Sequence, residues 1–382
     1  MDLKKNKMHS NFLVTFLVVL SVVTLISILS FTGCRASKET EEEPVILEPE
    51  IEEEVTVGEA PVVEEEDKVA GIEITGNILS GLDISDGVGN SRPIAVMIEN
   101  SPDSRPQSGL IYADIVFEVV DEGGVTRYVA VFSSYDAEIV GPVRSARPYY
   151  AEIARSFDPI YVFWGTYPEG YIPIKNLDMD VLDGNSDDYV NYTDSGWRDY
   201  SRIEPGEDTA HTAFMSTIYL KEDAAEYGYS LEGGQSPLRF KIDADDSDKG
   251  DISNININFS YDTYRVNFEY NRENNNYLKF TGGAPHTDYE TGKQIEVNNV
   301  IVMITSIKGP IDQLGHMAVR TTGTSDIGKA FFFMDGNVIE GTWERTSAFD
   351  PFKYKDDDGN IVLFNRGYTW VALIQDTNRL TY

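Results

Sequence analysis

Two glutamates and three arginines in the middle of the chain are the residues best suited to chemistry. Glu118 and Glu122 come first, Arg127 follows them, and Arg144 and Arg147 stand ahead of a helical segment. Arginine suits carboxylate or phosphate ligands because its planar guanidinium forms charge-assisted, bidentate hydrogen bonds. A pair of carboxylates is also the minimum that glycoside hydrolysis requires. These residues therefore predict an anion-binding site, with a hydrolytic site as the alternative.

The segment GPVRSARPYY places Arg144 and Arg147 at the start of a predicted helix. Pro148 suits the first helical turn, where its missing N–H costs nothing. Cations are disfavoured there because the helix dipole presents partial positive charge at its N-terminus. An anion is therefore expected nearby: either a ligand, which Tyr149 would also contact, or one of the neighbouring carboxylates of Glu118, Asp121 and Glu122. The sequence leaves both alternatives open.

Gly123 and Gly124 separate two apolar runs and predict a tight β-hairpin. With a two-residue loop, Glu118 and Glu122 would share one face of the sheet, and Arg127 would lie diagonally between them. The three residues would then form either an internal ion pair that fixes strand register or a charged cluster at a cleft. In the hydrolase hypothesis Arg127 is an objection, because it would keep both glutamates ionised and make them poor acids.

Histidines offer weaker candidates. His211, in TAHTAF, precedes a helical segment and could cap it, bind a metal or transfer a proton, with a structural role as the alternative. His286 and Asp288 alternate with Glu290 and are weak candidates for a divalent-metal site, with a hydrogen-bonded loop histidine as the alternative. The sequence has no phosphate-binding loop, nucleophile elbow or H-E-x-x-H motif, so no cofactor is predicted and no metal is assigned.

Composition excludes one class of partner and several kinds of site. Of 382 residues, 64 are acidic and 31 basic, which gives a net charge of −33. Such a surface repels polyanions, so nucleic-acid binding is not expected. Cys34 is the single cysteine of the chain. An internal disulfide and a four-cysteine zinc site are therefore excluded.

Residues 1–33 predict a lipoprotein signal peptide. Lysines near the N-terminus precede the uncharged apolar run from Phe12 to Phe31, and the sequence FTGC ends the segment. This ending resembles a bacterial lipobox, so Cys34 is the predicted lipidation site, with an uncleaved transmembrane helix as the alternative. Residues 34–75 are strongly acidic and predict a disordered stalk. Both alternatives place the remainder on the extracytoplasmic face of the cell membrane.

Two segments with different patterns follow the stalk. Residues 76–235 contain short apolar runs, typical of buried strands, and the helix that begins at Pro148; they predict a mixed α/β domain. Residues 236–382 begin with the alternating runs NININFSY, YRVNFEYN and NYLKFTGG. These predict an antiparallel meander within a mainly antiparallel β domain. The predicted fold class is α+β.

Several long stretches resemble the YerB-like family of bacterial lipoproteins, built around domain of unknown function 3048. The first segment carries RPIAVMIENSPDSRPQSGL, EGGVTRYVAVF and GPVRSARPYY, and the second carries GGAPHTDYETGKQIEVNNVIVM, DGNVIEGTWER and GYTWVALI. The resemblance covers about residues 78–375. It implies a lipid-anchored, extracytoplasmic, two-domain protein and implies no reaction. TAHTAF departs from the Pro-His-Asn pattern of the family, which weakens a catalytic role for His211.

These observations favour a non-catalytic envelope protein. Its partner would be an anionic cell-wall component or another envelope protein, with Arg127, Arg144, Arg147 and Tyr149 at the binding site. The alternative is a cell-wall polymer hydrolase that uses Glu118 or Glu122 as general acid or base, assisted by His211 or Tyr149. A scaffold that receives a partner on the sheet edges of the second domain is a third hypothesis. The sequence leaves open whether the protein is an enzyme.

Overall fold

The computed structural model describes residues 76–185, 189–204, 208–322 and 328–382. The predicted signal peptide, the lipidation site Cys34 and the predicted stalk lie outside the described residues, so these predictions stay predictions. The described residues belong to one compact unit. In that part of the chain, no helix is both long enough and apolar enough to cross a membrane.

Strands dominate the described residues. The first eleven are β1 (Ile94–Glu99), β2 (Ile115–Val120), β3 (Thr126–Phe132), β4 (Ile160–Phe163), β5 (Asp180–Asp183), β6 (Trp197–Arg198), β7 (Ala213–Phe214), β8 (Phe240–Lys241), β9 (Asn254–Asn258), β10 (Arg265–Asn271) and β11 (Asn276–Thr281). The others are β12 (Ala284–Pro285), β13 (Glu296–Val297), β14 (Asn299–Ile304), β15 (Ile307–Lys308), β16 (Ala318–Val319), β17 (Lys329–Met334), β18 (Asn337–Glu344), β19 (Lys353–Asp356), β20 (Phe364–Asn365), β21 (Thr369–Ile374) and β22 (Leu380–Thr381).

Helices are short and few in the described ranges. The α-helices are α1 (Pro148–Arg155), α2 (Tyr171–Lys175) and α3 (Thr217–Glu226). Three-residue 3-10 helices begin at Ile84, Pro102, Leu110, Glu122, Pro168, Tyr200, Thr209, Asp262 and Thr377. Helix α1 begins at Pro148, as predicted, and ends at Arg155, where a cation suits the negative end of the helix dipole. One face of the helix is buried, including Ile153.

The largest sheet has ten strands in the order β19-β18-β17-β14-β21-β2-β3-β1-β4-β5. Strand β21 pairs in parallel with both β14 and β2, and β4 pairs in parallel with β1 and β5. The remaining pairs are antiparallel, so the sheet is mixed. Strands from both predicted domains enter this sheet through the β2–β21 pair. The boundary between residues 235 and 236 itself stays a prediction.

A second sheet has six strands, and the predicted meander β9–β10–β11 forms its centre. The ten-stranded sheet carries a hydrophobic core on each face. On one face, Ile153 of α1 and Phe117 of β2 belong to the same core. On the other face, Ile257 and Phe268 of the meander share a core with Trp370 of β21. The fold is therefore mixed and strand-rich, with a large sheet between two packed layers.

Gly141 opens the segment that carries Arg144, and its backbone requires glycine. Its φ is +150°, and a Cβ there would lie 2.7 Å from the carbonyl oxygen of Ala213. Both strain and a backbone clash oppose a side chain at this position. Gly87 also has positive φ (+81°), but a Cβ there would meet no atom within 4 Å.

We expect Gly141→Ala to lower the free energy of unfolding by about 2 kcal/mol or more, because strain and clash add. Gly87→Ala, the control, carries conformational strain alone and should cost about 1 kcal/mol. Urea unfolding followed by tryptophan fluorescence measures both values. Equal losses in the two variants would contradict the role of the Ala213 contact.

Candidate functional site

The hairpin between β2 and β3 has a different register from the predicted one. Val120 pairs with Thr126, Val119 with Arg127, and Glu118 with Tyr128. Residues 121–125 form the connection, which is longer than Gly123-Gly124 because a 3-10 helix spans Glu122–Gly124. The prediction that Arg127 shares a sheet face with Glu118 was therefore wrong. A shift of one residue moves a side chain to the opposite face, and Glu118 and Arg127 belong to separate networks.

Arg127 lies on the face of Glu99, its direct cross-strand partner in β1. Its guanidinium contacts the Asp121 carboxylate at 2.5 Å, with Glu122 at 3.7 Å and Glu99 at 3.9 Å. Arg144 donates from Nε to Glu99 at 2.5 Å. We call the group consisting of Glu99, Asp121, Glu122, Arg127, Arg144 and Arg147 the arginine cluster. It contains three formal negative and three formal positive charges.

Arg147 binds Glu122 in a bidentate manner. Its Nε and Nη2 atoms donate to the two carboxylate oxygens at 2.6 and 2.9 Å, and Nη1 donates to the carbonyl of Ala146 at 2.7 Å. Tyr149 is also engaged, because its hydroxyl donates to Asp121 at 2.5 Å and its side chain is buried. The anions near the helix start are therefore protein carboxylates. Of the three carboxylates suggested from sequence, Asp121 and Glu122 lie there, whereas Glu118 does not.

Burial and ion pairing oppose each other in this cluster. Burial raises the pKa of Glu99, but Arg127 and Arg144 outweigh it and hold the pKa below its usual value. The same balance lowers the pKa of Asp121, for which Arg127 is the main cation. Glu122 differs: burial raises its pKa above the usual value despite the hydrogen bonds from Arg147, and nearby Asp121 adds to the rise.

Arg144 also faces a polar groove of about 350 Å³ on the surface. We call it the arginine groove; it is lined by Arg144, Ser145, Trp164, Asn185, Arg198 and Asp208, among others. The Arg198 guanidinium lies 4.7 Å from the centre of the Trp164 ring, and its Nη1 donates to the carbonyl of Thr209 at 2.7 Å. Neither the terminal nitrogens of Arg144 nor Nη2 of Arg198 hydrogen-bonds to any described residue.

Glu118 lies at the centre of a second, fully buried network. It is 0% exposed and accepts hydrogen bonds from the Thr126 hydroxyl at 2.9 Å and the Asn100 amide at 3.3 Å. Its other oxygen accepts from Trp370 Nε1 at 3.1 Å and lies 3.8 Å from Lys279 Nζ. A carboxylate surrounded in this way is a structural anchor, because substrate cannot reach it in this conformation.

Lys279 extends that network to His286. Lys279 Nζ donates to the Thr281 hydroxyl at 2.6 Å and lies 3.1 Å from His286 Nδ1. It also lies 4.3 Å from the centre of the Trp370 ring, a cation–π distance. Burial lowers the pKa of Lys279 to about 8, although Glu118 opposes this change. Burial lowers the pKa of His286 well below its ordinary value, and the nearby charge of Lys279 lowers it further. Both effects favour the neutral ring.

The weak metal candidates are occupied by protein groups. Nε2 of His286 lies 2.8 Å from Gln107 Oε1, so both ring nitrogens have partners. Asp288 accepts from the backbone N–H of Gly109 at 2.6 Å and from both the N–H and the hydroxyl of Thr291. The two side chains thus serve different hydrogen-bond networks. Within the described ranges, no group of three or more His, Cys, Asp and Glu residues could hold a metal ion.

Three of the residues in the hydrolase hypothesis, Glu118, Glu122 and His211, lie in three different environments. Glu118 belongs to the buried network and Glu122 to the arginine cluster. His211 ends the 3-10 helix Thr209–His211, where its Nδ1 lies 3.4 Å from the Ser101 hydroxyl. No described hydrogen bond or ion pair joins any two of the three. The structure therefore gives Glu118 and Glu122 no shared site.

Sequence reasoning missed Glu99, Arg198 and Lys279. Glu99 ends the apolar run IAVMIE, and a charge at that position was the available signal. Lys279 alternates with Tyr277 and Thr281 in β11, so a position on the buried face could have been inferred. Arg198 belongs to the two-residue strand β6, which is too short to leave a periodic pattern in the sequence, and nothing in the sequence indicated its proximity to Arg144.

The arginine cluster predicts unequal effects of arginine replacement. Arg127→Met should lower the free energy of unfolding by about 3–5 kcal/mol, because it leaves Asp121 and Glu99 buried beside a missing cation. Arg144→Ala should cost about 1 kcal/mol, because Glu99 keeps Arg127 and two backbone N–H donors. Urea denaturation compares the two variants. A smaller loss for Arg127→Met than for Arg144→Ala would contradict this assignment.

The buried lysine predicts a pH dependence with a defined sign. The pKa of Lys279 is about 8 in the folded state and about 10.4 in the unfolded state. Between these pH values Lys279 holds its proton more in the unfolded state than in the folded state. The contribution of Lys279 to the free energy of unfolding therefore rises with pH. Below about pH 8 both states are protonated and this slope vanishes. Lys279→Met should lack the slope, so the wild-type minus variant difference should rise from about pH 8 to about pH 10. Parallel profiles would contradict the prediction.

Comparison with known proteins supports the resemblance inferred from sequence. A family profile described as "Protein of unknown function (DUF3048) N-terminal domain" matches residues 79–230, and the C-terminal domain profile of the same family matches residues 255–371. The chain is 32% identical over 307 residues to "Putative lipoprotein YerB" of Bacillus subtilis (strain 168), which covers 78% of this chain and 86% of the relative.

The fold also resembles a solved structure. The crystal structure of YerB protein from Bacillus subtilis matches with a TM-score of 0.67 and 30% identity, covering 80% of this chain and 98% of that chain. Sequence profiles, relative and solved structure agree over most of the chain, and the predicted resemblance is confirmed. The chain belongs to the DUF3048 family of proteins of unknown function.

Proposed function

We propose that this protein is a membrane-anchored extracytoplasmic lipoprotein that binds an anionic cell-wall component in the arginine groove. The relative named as a lipoprotein supports the anchor, as does the FTGC sequence at Cys34. The observation that carries the binding proposal is the pair of outward-facing guanidinium groups of Arg144 and Arg198. Their terminal nitrogens keep donors that no described residue uses.

The protein holds both guanidinium groups in place before a ligand arrives. Glu99 fixes Arg144 through Nε, and Trp164 supports the plane of Arg198. Preorganised donors lose less side-chain freedom on binding, which favours affinity. Arginine in such a position binds carboxylate or phosphate through charge-assisted hydrogen bonds. The proposal therefore keeps Arg144 from the sequence-based set and adds Arg198, while Arg127 and Arg147 support the fold.

Three observations weigh against the hydrolase alternative. Glu118 is 0% exposed and hydrogen-bonded on both oxygens. Glu122 receives a bidentate contact from Arg147, which occupies the oxygens that a general acid or base would use. His211 contacts neither glutamate. A glycosidase needs its two carboxyl groups on either side of one bond, and these side chains do not share a cleft.

A sedimentation experiment with purified cell-wall sacculi tests the proposal. The full-length chain, kept in detergent, is mixed with sacculi and centrifuged, and pellet and supernatant are analysed. We expect wild-type protein in the pellet and at least about tenfold weaker binding for Arg144→Ala/Arg198→Ala, because each charge-assisted contact contributes about 1.5–3 kcal/mol. The control is Arg265→Ala/Arg272→Ala, which removes the same charge from two exposed arginines elsewhere.

Each contrary outcome has a distinct meaning. Equal losses in the test and control variants would indicate nonspecific charge attraction and contradict the groove assignment. Wall fragments in the supernatant, detected by mass spectrometry, would indicate an enzyme. Wild-type protein that stays in solution over intact sacculi would contradict a wall ligand and leave an envelope protein as the partner class.

A further inference from the structure

A second concavity is lined by three tyrosines, and its lining residues differ in chemical type from those of the arginine groove. It has a volume of about 560 Å³ and is lined in part by Tyr112, Tyr135, Tyr368, Lys293, Gln294 and Glu296. We call it the tyrosine cleft. Its volume falls within the range of small-molecule sites, which is roughly 300–1,000 Å³. It shares no lining residue with the arginine groove.

The backbone around the tyrosines is fixed by buried polar contacts. Asp114 accepts from the N–H groups of Ser133 and Ser134 at 2.7 and 2.9 Å, which shapes the turn before Tyr135. The N–H of Tyr368 donates to Asn298 Oδ1 at 3.0 Å, directly before β21. Tyr112 ends the 3-10 helix Leu110–Tyr112. The aromatic wall of the cleft is therefore largely preformed.

The opposite wall presents unused polar atoms. Gln294 donates from its amide to the carbonyl of Lys279 at 2.8 Å, and Glu296 accepts from Asn276 through one oxygen at 2.5 Å. The amide oxygen Oε1 of Gln294, the second carboxylate oxygen of Glu296 and Nζ of Lys293 have no hydrogen bond to a described residue. Within the described ranges, the hydroxyls of the three tyrosines also lack a protein partner.

The charge and composition of the cleft narrow the ligand class. Lys293 and Glu296 cancel each other, so a polyphosphate or another strong anion finds no excess of positive charge. A lipid chain would leave the unused donors and acceptors unpaired, which is costly once they are desolvated. A sugar ring has an apolar C–H face and a rim of hydroxyls. Tyrosine rings offer an apolar face of matching kind, and their hydroxyls offer a polar edge.

Tyr368 keeps its hydroxyl as a donor at neutral pH. Burial raises its pKa above the ordinary value, and the nearby groups Asp114, Tyr135 and Tyr112 add to the rise. All three tyrosines line the same cleft. A ligand in the cleft can therefore meet more than one aromatic ring.

We propose that the tyrosine cleft binds a saccharide chain, with a sugar ring stacked on Tyr135 and its hydroxyls bound by Gln294 and Glu296. This site is additional to the anion site of the arginine groove and differs from it in ligand chemistry. Tyr135 is the appropriate residue to change, because it is 37% exposed and no described hydrogen bond depends on its side chain.

Isothermal titration calorimetry of the full-length chain tests this proposal. The detergent must lack a sugar headgroup, and the probes are three neutral oligosaccharides: N-acetylchitotetraose, cellotetraose and maltotetraose. We expect at least one to bind, with Tyr135→Ala weakening it about tenfold or more through lost stacking and buried area. Tyr135→Phe keeps the ring and should stay within about threefold of wild type. Tyr219→Ala, an exposed tyrosine of α3, is the control and should not change affinity.

The contrary outcomes are specific. If none of the three probes binds at concentrations up to about 10 mM, the saccharide assignment is overturned. Equal binding by wild type and Tyr135→Ala, or equal weakening by Tyr219→Ala, would overturn the cleft as the site. The Arg144→Ala/Arg198→Ala variant should bind the neutral probe as wild type does. This result would distinguish a failure of the arginine groove from a failure of the tyrosine cleft.

Discussion

The described structure depends on strand β21, which lies between β14 and β2 and pairs in parallel with both. The last long strand of the chain thereby joins the early strands to the late ones. Trp370 of β21 donates to Glu118 of β2, and Lys279 of the smaller sheet lies against the same Trp370 ring. Backbone pairing alone would tolerate sliding, but a buried carboxylate with defined donors fixes the register, because a slipped strand would leave it unsatisfied.

Charge balance shapes the other face of the sheet. The arginine cluster places three carboxylates beside three guanidinium groups, and each carboxylate contacts at least one arginine. Burying these charges costs desolvation free energy, so the network by itself is weak evidence for stability. Removal of one partner nevertheless destabilises the fold strongly, because it leaves a buried charge unpaired. Arg144 differs from Arg127 in keeping a quarter of its side chain exposed, 26% against 9%. A buried balanced cluster can therefore present one positively charged group to solvent without leaving an acidic partner unpaired.

Local features of the fold could be predicted from sequence, whereas the partners of the charged residues could not. The helix at Pro148 and the meander of β9–β11 follow from periodicity within a few residues. The side on which Arg127 lies depends on the length of one loop, and the pair of glycines indicated two residues where the chain uses five. Glu99 and Lys279 reach their partners through strand order and sheet packing, which arise from contacts far apart in sequence and leave no local pattern.

The two proposed sites differ in how much of this architecture they need. Residues that line the arginine groove lie between Val143 and Ala213, within the first predicted domain. The tyrosine cleft takes Tyr112 and Tyr135 from that domain but Gln294 and Tyr368 from the second. Tyr368 directly precedes β21, so the pairing of β21 with β2 sets the distance between the walls of the cleft. A change that loosens this pairing should therefore disturb the cleft before it disturbs the groove, because only the cleft is assembled across the pair.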